Sequence, residues 1–559
     1  MNRVAKKNYS ALWTGLLVTS VLVTGGLAPQ QALADTGTTY YVDCSLVAAG
    51  DGSRSAPFSS VGEVNAQRYT PGDHILFKSG TQCSGSLQPQ GSGTHSQPIV
   101  IDKWHDGNNP VIQASTDRHA DPAIVLFNQS GWVIRNIDLK GGYWQTLSIM
   151  ADEPGVFSSY VIENVTVSSN AWQPAFDQWM TGSGGIVIQP CSDKTTLKDI
   201  TVDSVTSHHN HITGIQLGYH HHQPYDEKGD ASSGMSIPGC NMDIPLDKPQ
   251  PKTGIMDAKI MHSSSHDNDA SGIQVFGATN VLIRGNELYR NGSGSTTTIA
   301  NPTGMNGEGA WWDTTDHVTA EYNNAWGNRE GKTGDDGSGL DADRMTTNSL
   351  IQYNYLHDNA NYGVSVIAGG ADSTGIIRYN IMANNGRKFS DAPDVMISRP
   401  YPQGQVSNYA VVNNTMVRDW GGQGIRFQAA FDPDANIYAY NNMIARQGAS
   451  EFISSTSNAM KFDRNLFFTT TGSQYYRFNN IRYSSLSSYQ LWSGQDRSSV
   501  YKNPFYVLPT SDSYSQPIWP DYSLKSISPM IKAGIDSDVT HVPDYYGRIA
   551  EDVSIGAIH

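Results

Sequence analysis

The stretch VTAEYNNAWGN (318–328) reads as a strand, an asparagine and a second short strand. The same pattern returns in VLIRGNELYRN (281–291), LIQYNYLHDN (350–359), IIRYNIMANN (376–385), YAVVNNTMV (409–417) and IYAYNNMIAR (437–446). The asparagines fall at 286, 323, 354, 380, 413 and 441, spaced 37, 31, 26, 33 and 28 residues apart. VIRNIDL (133–139) and VIENVTV (161–167) extend the pattern upstream. Short strands in an irregular period of this size predict a β-solenoid, because one turn cannot bury its own apolar face and must stack on the next. An asparagine at each corner is expected to tolerate a left-handed backbone and to bond to its neighbours along the axis. A propeller would need tight hairpins between paired strands, and Asn-Gly and Asp-Gly turns of that kind are almost absent.

A second element occurs once per period. It reads Gly-apolar-x-apolar-x in GIVIQ (185–189), GIQLG (214–218), GIQVF (272–276), GAWWD (309–313), GLDAD (339–343), GVSVI (363–367) and GIRFQ (424–428), while DVMIS (394–398) fills the slot without the glycine. Alternation along a strand sends the apolar pair inward and the two x positions outward. The outward residues are then Gln216, Gln274 and Phe276, Trp311 with Asp313, Asp341 with Asp343, and Arg426 with Gln428. Asp313 and Asp343 share one register position on successive rungs, which lie about 4.8 Å apart. Asp341 stands two residues from Asp343 on the same face.

These motifs resemble the right-handed parallel β-helix proteins of the pectate-lyase-like superfamily. The resemblance runs from about Tyr40 to the C-terminus. It rests on YYVDCSLVAAGDGSRSAPFSSVGE (40–63) and PGDHILFKSGT (71–81) as an entry region, and on the repeated phrases SHDND and YNYLHDN. SPMIKAGIDSD (528–538) and DYYGRIAEDVSIGAIH (544–559) are similar to the usual closing rung. The resemblance implies an all-β chain, a single right-handed parallel β-helix with N- and C-terminal caps, that acts on carbohydrate. It does not choose the reaction, since lyases, hydrolases, epimerases and adhesins share the architecture.

Like charges side by side on a sheet oppose folding. A cluster of Asp313, Asp341 and Asp343 is expected to raise at least one pKa and so keep one carboxyl protonated near neutral pH. One protonated and one ionised carboxyl are the parts glycoside hydrolysis requires. Asp335 and Asp336, in the glycine-rich loop before the acidic strand, are expected to fold over the same cleft, and Asp336 joins the catalytic candidates. Trp311, Trp312 and Trp326 offer faces for sugar rings. Gln274, His220, Arg426 and Arg399 are further substrate-binding candidates, His220 because its run 220–222 opens a long insertion beside the cleft. No metal ligand set is assigned and no cofactor is required, although Ca²⁺ could sit among the acids. A lyase would need a Lys or Arg base, for which Lys332, Arg344, Arg399 and Arg426 are available. A non-catalytic carbohydrate-binding adhesin is the reading from a different class.

The remaining features bound the setting. Arg3, Lys6 and Lys7, an apolar run over 11–28 and Ala32-Leu33-Ala34 read as a signal peptide over 1–34, cut before Asp35. The expected divisions are 35–115 for the N-terminal cap and first coils, 116–450 for the β-helix with the cleft, and 451–559 for the last coils and C-terminal cap. Removing three cations shifts the formal charge from −15 to −18. That excludes nucleic acid as a partner and disfavours a strongly anionic polymer. A carbohydrate polymer or oligosaccharide is the expected partner, met by a monomer outside the cytoplasm, free of the membrane once the signal is removed. Four cysteines in an exported chain suggest disulfides. Of three pairings, Cys44–Cys83 and Cys191–Cys240 are favoured, because each brackets one local segment.

Overall fold

The computed structural model describes residues 37–117, 120–169, 182–219, 252–292, 307–329, 336–368, 373–399, 407–429, 436–458, 460–507, 521–549 and 552–558. The expected signal peptide lies outside them. Gly37–His559 is one compact unit.

The turns build three series of strands, the first two running on as one strand in Ile273–Arg284 and Ala310–Glu321, and along the spiral each pairs in parallel with its counterpart one turn on. The first series holds the Gly-apolar-x-apolar-x slots: Gly184–Pro190, Thr213–Leu217, Ile273–Arg284, Ala310–Glu321, Leu340–Ala342, Val364–Ile367, Val395–Arg399 and Gly422–Ala429. The second contains Ser349–Gln352, Ser373–Arg378, Ser407–Val412 and Asn436–Tyr440. The third, short series contains Ser264–His266, Glu287–Tyr289, Asn324–Trp326, Tyr355–His357 and Ile381–Ala383. This is a parallel β-helix. Its interior is filled by aligned apolar columns, one of which runs Ile188, Leu217, Val275, Trp312, Ala342, Val366, Ile397 and Phe427.

Two asparagine ladders hold the corners. In the first, Asn286, Asn323, Asn354, Asn380, Asn414, Asn442 and Asn465 each donate from Nδ2 to the next Oδ1 at 2.9–3.1 Å. The ladder ends where Asn465 donates to Asp496. The second runs through Asn210, Asn268, Asn291, Asn328, Asn359 and Asn385. Two expectations are corrected here. The ladder passes through Asn414 and Asn442, not Asn413 and Asn441. The left-handed residue is the one before each ladder asparagine: Gly285, Tyr322, Tyr353, Tyr379, Asn413 and Asn441 all have φ of 53–67°. The left-handed expectation therefore holds at Asn413 and Asn441, which also bond each other, Asn441 Nδ2 donating to Asn413 Oδ1 at 3.1 Å. The corner needs that kink so that the next side chain turns inward to its ladder partner.

The ladders also explain the slot glycines. A β-carbon on Gly339 would stand 2.8 Å from the Gly363 carbonyl oxygen and 3.1 Å from Asn359 Nδ2. Past Asn385 the ladder stops, and Asp394 takes the glycine's place. It is wholly buried and bonded to Arg418 and Arg446.

The helix Leu486–Ser493 covers the last turns with Leu486 and Tyr489, the latter stacked on Tyr476 at 5.0 Å. The expected closing rung is not one. Residues 521–549 and 552–558 fold back over the outside of the short-strand series. Tyr353 Oη donates to the Pro543 carbonyl at 2.8 Å, Tyr379 Oη to that of Thr540 at 2.6 Å, and Asn413 Nδ2 to that of Ser554 at 2.8 Å. The outer column here is apolar (Ile381, Met443, Leu466), so it must be covered. The Cys44–Cys83 disulfide is present. Cys191 is also disulfide-bonded, and its expected partner Cys240 lies outside the described residues.

Candidate active site

Register places the outward residues in columns. One runs Gln216, Gln274, Trp311, Asp341, Ser365, Met396 and Arg426. Asp341 is 3% exposed. Ser365 hydrogen-bonds its side chain, while Oδ1 is buried without a partner. Its carboxyl oxygen lies with those of Glu308 and Asp336 in a group whose members are all within 4.8 Å of one another. Glu308 is 4% exposed, and its Oε2 accepts from Ser271 Oγ at 2.7 Å.

Burial sets the protonation here. Loss of water, and then the charges of Asp343 and Asp336, hold the Asp341 carboxyl well above the usual carboxylate range. Burial first, and then Asp341, push Glu308 up to about 8. The Ser271 hydroxyl opposes this by bonding the ionised form. Two adjacent acids therefore hold protons at a pH where an exposed carboxyl has none.

Asp313 and Asp343 are organised differently. Arg344 reaches Asp313 Oδ2 from Nε at 3.1 Å and from Nη2 at 3.0 Å. Asp343 Oδ1 accepts from the Arg344 backbone N–H at 2.8 Å, with Arg344 Nε 3.7 Å away. The expected triad of Asp313, Asp341 and Asp343 shares one electrostatic neighbourhood, since Asp343 and Asp313 both raise the Asp341 carboxyl, but its members have different partners. Asp341 stands with Asp336 and Glu308, and the other two flank one guanidinium at the edge of the cluster. Sequence reasoning passed over Glu308. It precedes the slot glycine, and the alternation argument began only after that glycine.

The other candidates fall as follows. Trp311 is partly exposed beside Asp341, and Phe276 packs against it edge to face at 4.9 Å. Gln274 is its register partner on the preceding rung, 5% exposed, with Oε1 buried and unpartnered. Trp312 is no ligand contact. It fills the interior at 0% exposure and donates from Nε1 to Ser349 Oγ at 3.1 Å. Its inward position was fixed by the same alternation that put Trp311 outside, and Ala342 on the next rung leaves the space it needs. Trp326 belongs to another face. It stacks between Tyr289 and His357 in a column that continues through His266 to His208. Arg426 lies three rungs beyond Asp341, about 14 Å by strand spacing, and bonds Gln423 Oε1 at 2.6 Å and the Asp391 carbonyl at 3.0 Å. It does not join the carboxylates. Arg399 ends the strand Val395–Arg399. His220, Lys332 and Asp335 lie outside the described residues.

The donor set would suit a hard divalent cation, since Ca²⁺ takes carboxylate oxygens at about 2.3–2.6 Å, and three oxygens within 4.8 Å of one another permit that.

Residues 252–392 match the family described as right handed beta helix region. The chain is a right-handed parallel β-helix. Among solved structures it is similar to the GH136 lacto-N-biosidase from Eubacterium ramulus, at TM-score 0.49 and 18% identity over 67% of each chain. It is also similar to a pectate lyase, at TM-score 0.41 and 13% identity over 93% of this chain and 96% of that one. A third is the A-module of a mannuronan C-5 epimerase from Azotobacter vinelandii, at TM-score 0.40 and 14% identity over 77% and 89%. At these identities the likeness is one of fold. No curated protein sequence matches the chain. Among the described residues no helix is long and apolar enough to cross a membrane.

Proposed function

We propose that the protein is an exported glycoside hydrolase acting on a polysaccharide or oligosaccharide, with its reacting groups in the Glu308–Asp336–Asp341 cluster. The observation that carries this reading is the burial of Asp341 beside Glu308, which keeps protons on carboxyls next to Asp336. Asp341 is the proton donor. It gives its proton to the glycosidic oxygen as the bond from that oxygen to the anomeric carbon breaks. Asp336, partly exposed on the loop entering the strand, attacks the anomeric carbon and forms a glycosyl ester. Asp341, now ionised, takes a proton from water, and that water displaces Asp336 from the sugar. Carboxyls about 5–5.5 Å apart favour this two-step route with retention, whereas a single displacement by water needs about 6.5–9.5 Å. A separation of no more than 4.8 Å between oxygens supports retention. Glu308 belongs to the same coupled group, and burial and the neighbouring Asp341 hold its proton. Arg344, pinned by Asp313, is a poor candidate for the base of a lyase.

The test is a panel of neutral and uronate glycans incubated with the exported protein and with Asp341→Asn. The reading expects reducing ends with retained anomeric configuration by NMR, no unsaturated product absorbing in the near ultraviolet, and no turnover by the variant. Unsaturated products, or undiminished turnover by Asp341→Asn, would overturn it.

A further inference from the structure

The outward strand positions around the cluster have a consistent character. From Val187 to Ser398 they are Val187, Gln189, Gln216, Gln274, Phe276, Trp311, Ser365, Ile367, Met396 and Ser398, apart from Gly218 and the aspartates themselves. None is a cation. Arg344 stands beside the cluster, but its guanidinium is bonded to Asp313. Arg426 is three rungs away and bonded locally. A sugar carboxylate or sulfate laid over the protonated Asp341 would meet the charges of Asp336, Asp343 and Asp313 and no unengaged cation among the described residues. Unpaired like charges brought together out of water are strongly disfavoured.

The two rungs before Asp341 offer the opposite. Trp311 is the aromatic residue in register with Asp341, and Phe276 fixes its ring from the side. Next in the column is Gln274, whose buried Oε1 has no hydrogen-bond partner among the described residues. Buried amides in folded proteins are nearly always satisfied, so an orphan two rungs along the same face from the reactive cluster points to a ligand group that completes it. An indole face and an amide are the groups that hold an uncharged pyranose, one by its C–H face and the other through a hydroxyl or acetamido N–H.

We infer that the substrate is an uncharged glycan, and that Trp311 and Gln274 form the subsite on the N-terminal side of the carboxylates that selects it. This rests on the reading of the cluster as a hydrolase site. Gln274 lies two rungs, about 9.6 Å, from Asp341, so it determines specificity without touching the reacting atoms.

The experiment uses the whole protein carrying Asp341→Asn, titrated calorimetrically with matched neutral and C6-oxidised oligosaccharides of the gluco, galacto and manno series. Binding of a neutral member is expected, at least tenfold tighter than its uronate counterpart. Adding Gln274→Ala should weaken the neutral glycan about tenfold without moving the unfolding midpoint, and Trp311→Ala should weaken it at least as much. Adding Gln274→Lys should narrow the neutral-to-uronate ratio. Tighter uronate binding, no binding of either kind, or an unchanged neutral affinity in Gln274→Ala would overturn the inference. Failure of the hydrolase reading shows separately: the neutral glycan would bind selectively, yet the wild-type protein would not cleave it.

Discussion

Glu308→Gln tests the electrostatics of the cluster with the least change of shape. The Glu308 and Asp341 oxygens are no more than 4.8 Å apart. At an effective dielectric of about 20, unit charges at that distance repel by roughly 3.5 kcal/mol, or about 2.5 pKa units. The two carboxyls titrate as a pair, so the upper step belongs to both. Removing the charge of Glu308 lets Asp341 lose its proton more easily, and the pKa of Asp341 falls. If Asp341 is the donor, the basic limb of the kcat/KM profile moves to lower pH, by about 1–2.5 units, because burial and the remaining aspartates still act. Ser271→Ala should do the reverse. Its hydroxyl stabilises ionised Glu308, so its loss raises the pair's upper step and moves the basic limb up. The assay is initial rate against pH on whichever glycan the panel identifies. A basic limb that stays in place in Glu308→Gln, or moves in the same direction in both variants, would refute the assignment of Asp341 and Glu308 as a coupled acid.

Further outcomes follow from the same geometry. Glu308 binds its proton more tightly in the folded chain, at about 8, than as a free glutamate at 4.5, so its contribution to stability is greatest at low pH and is lost as pH rises from 4.5 through 8. Calorimetric unfolding should show a decline across that window that is shallower in Glu308→Gln. Asn354→Ala removes a ladder member that accepts two bonds from Asn323 and donates to Asn380 and two carbonyls; the groups left unpaired should cost about 3–5 kcal/mol in denaturant unfolding. Exposed Asn108→Ala should cost less than about 0.5 kcal/mol. Chelation with EDTA should leave turnover unchanged, since the proposed route needs no cation, and rates measured before and after Ca²⁺ is restored would reveal a requirement.

The architecture was legible because a solenoid writes its period into the chain. VTAEYNNAWGN and its repeats each mark one corner, and GAWWD and GLDAD fix the register of the face that carries the acids. Register then placed Asp341 opposite Trp311 correctly, since alternation along a strand is a local property. What alternation could not give was the direction of side chains at the corners. Glu308 lies one residue before the slot glycine, where the chain is turning, and its place beside Asp341 depends on stacking rather than pattern. Arg344 lies just past the strand for the same reason, and its pairing with Asp313 gives that carboxylate a cation partner that Asp341 lacks among the described residues. Trp312 shows a different failure, in which chemistry was allowed to override register. A tryptophan between Val275 and Ala342 in the inward column is wanted by the core, and the parity that exposed Trp311 had already settled the matter. The acids themselves bear on how the cluster persists. Asp341 and Glu308 stand on consecutive rungs tied by the pairing of Ala310–Trp312 with Leu340–Ala342 and by the Asn328–Asn359 ladder bond, so the repulsion among them is borne by a scaffold that resists relieving it. That rigidity is why protonation is the outcome open to the cluster, and why a proton donor belongs on this face.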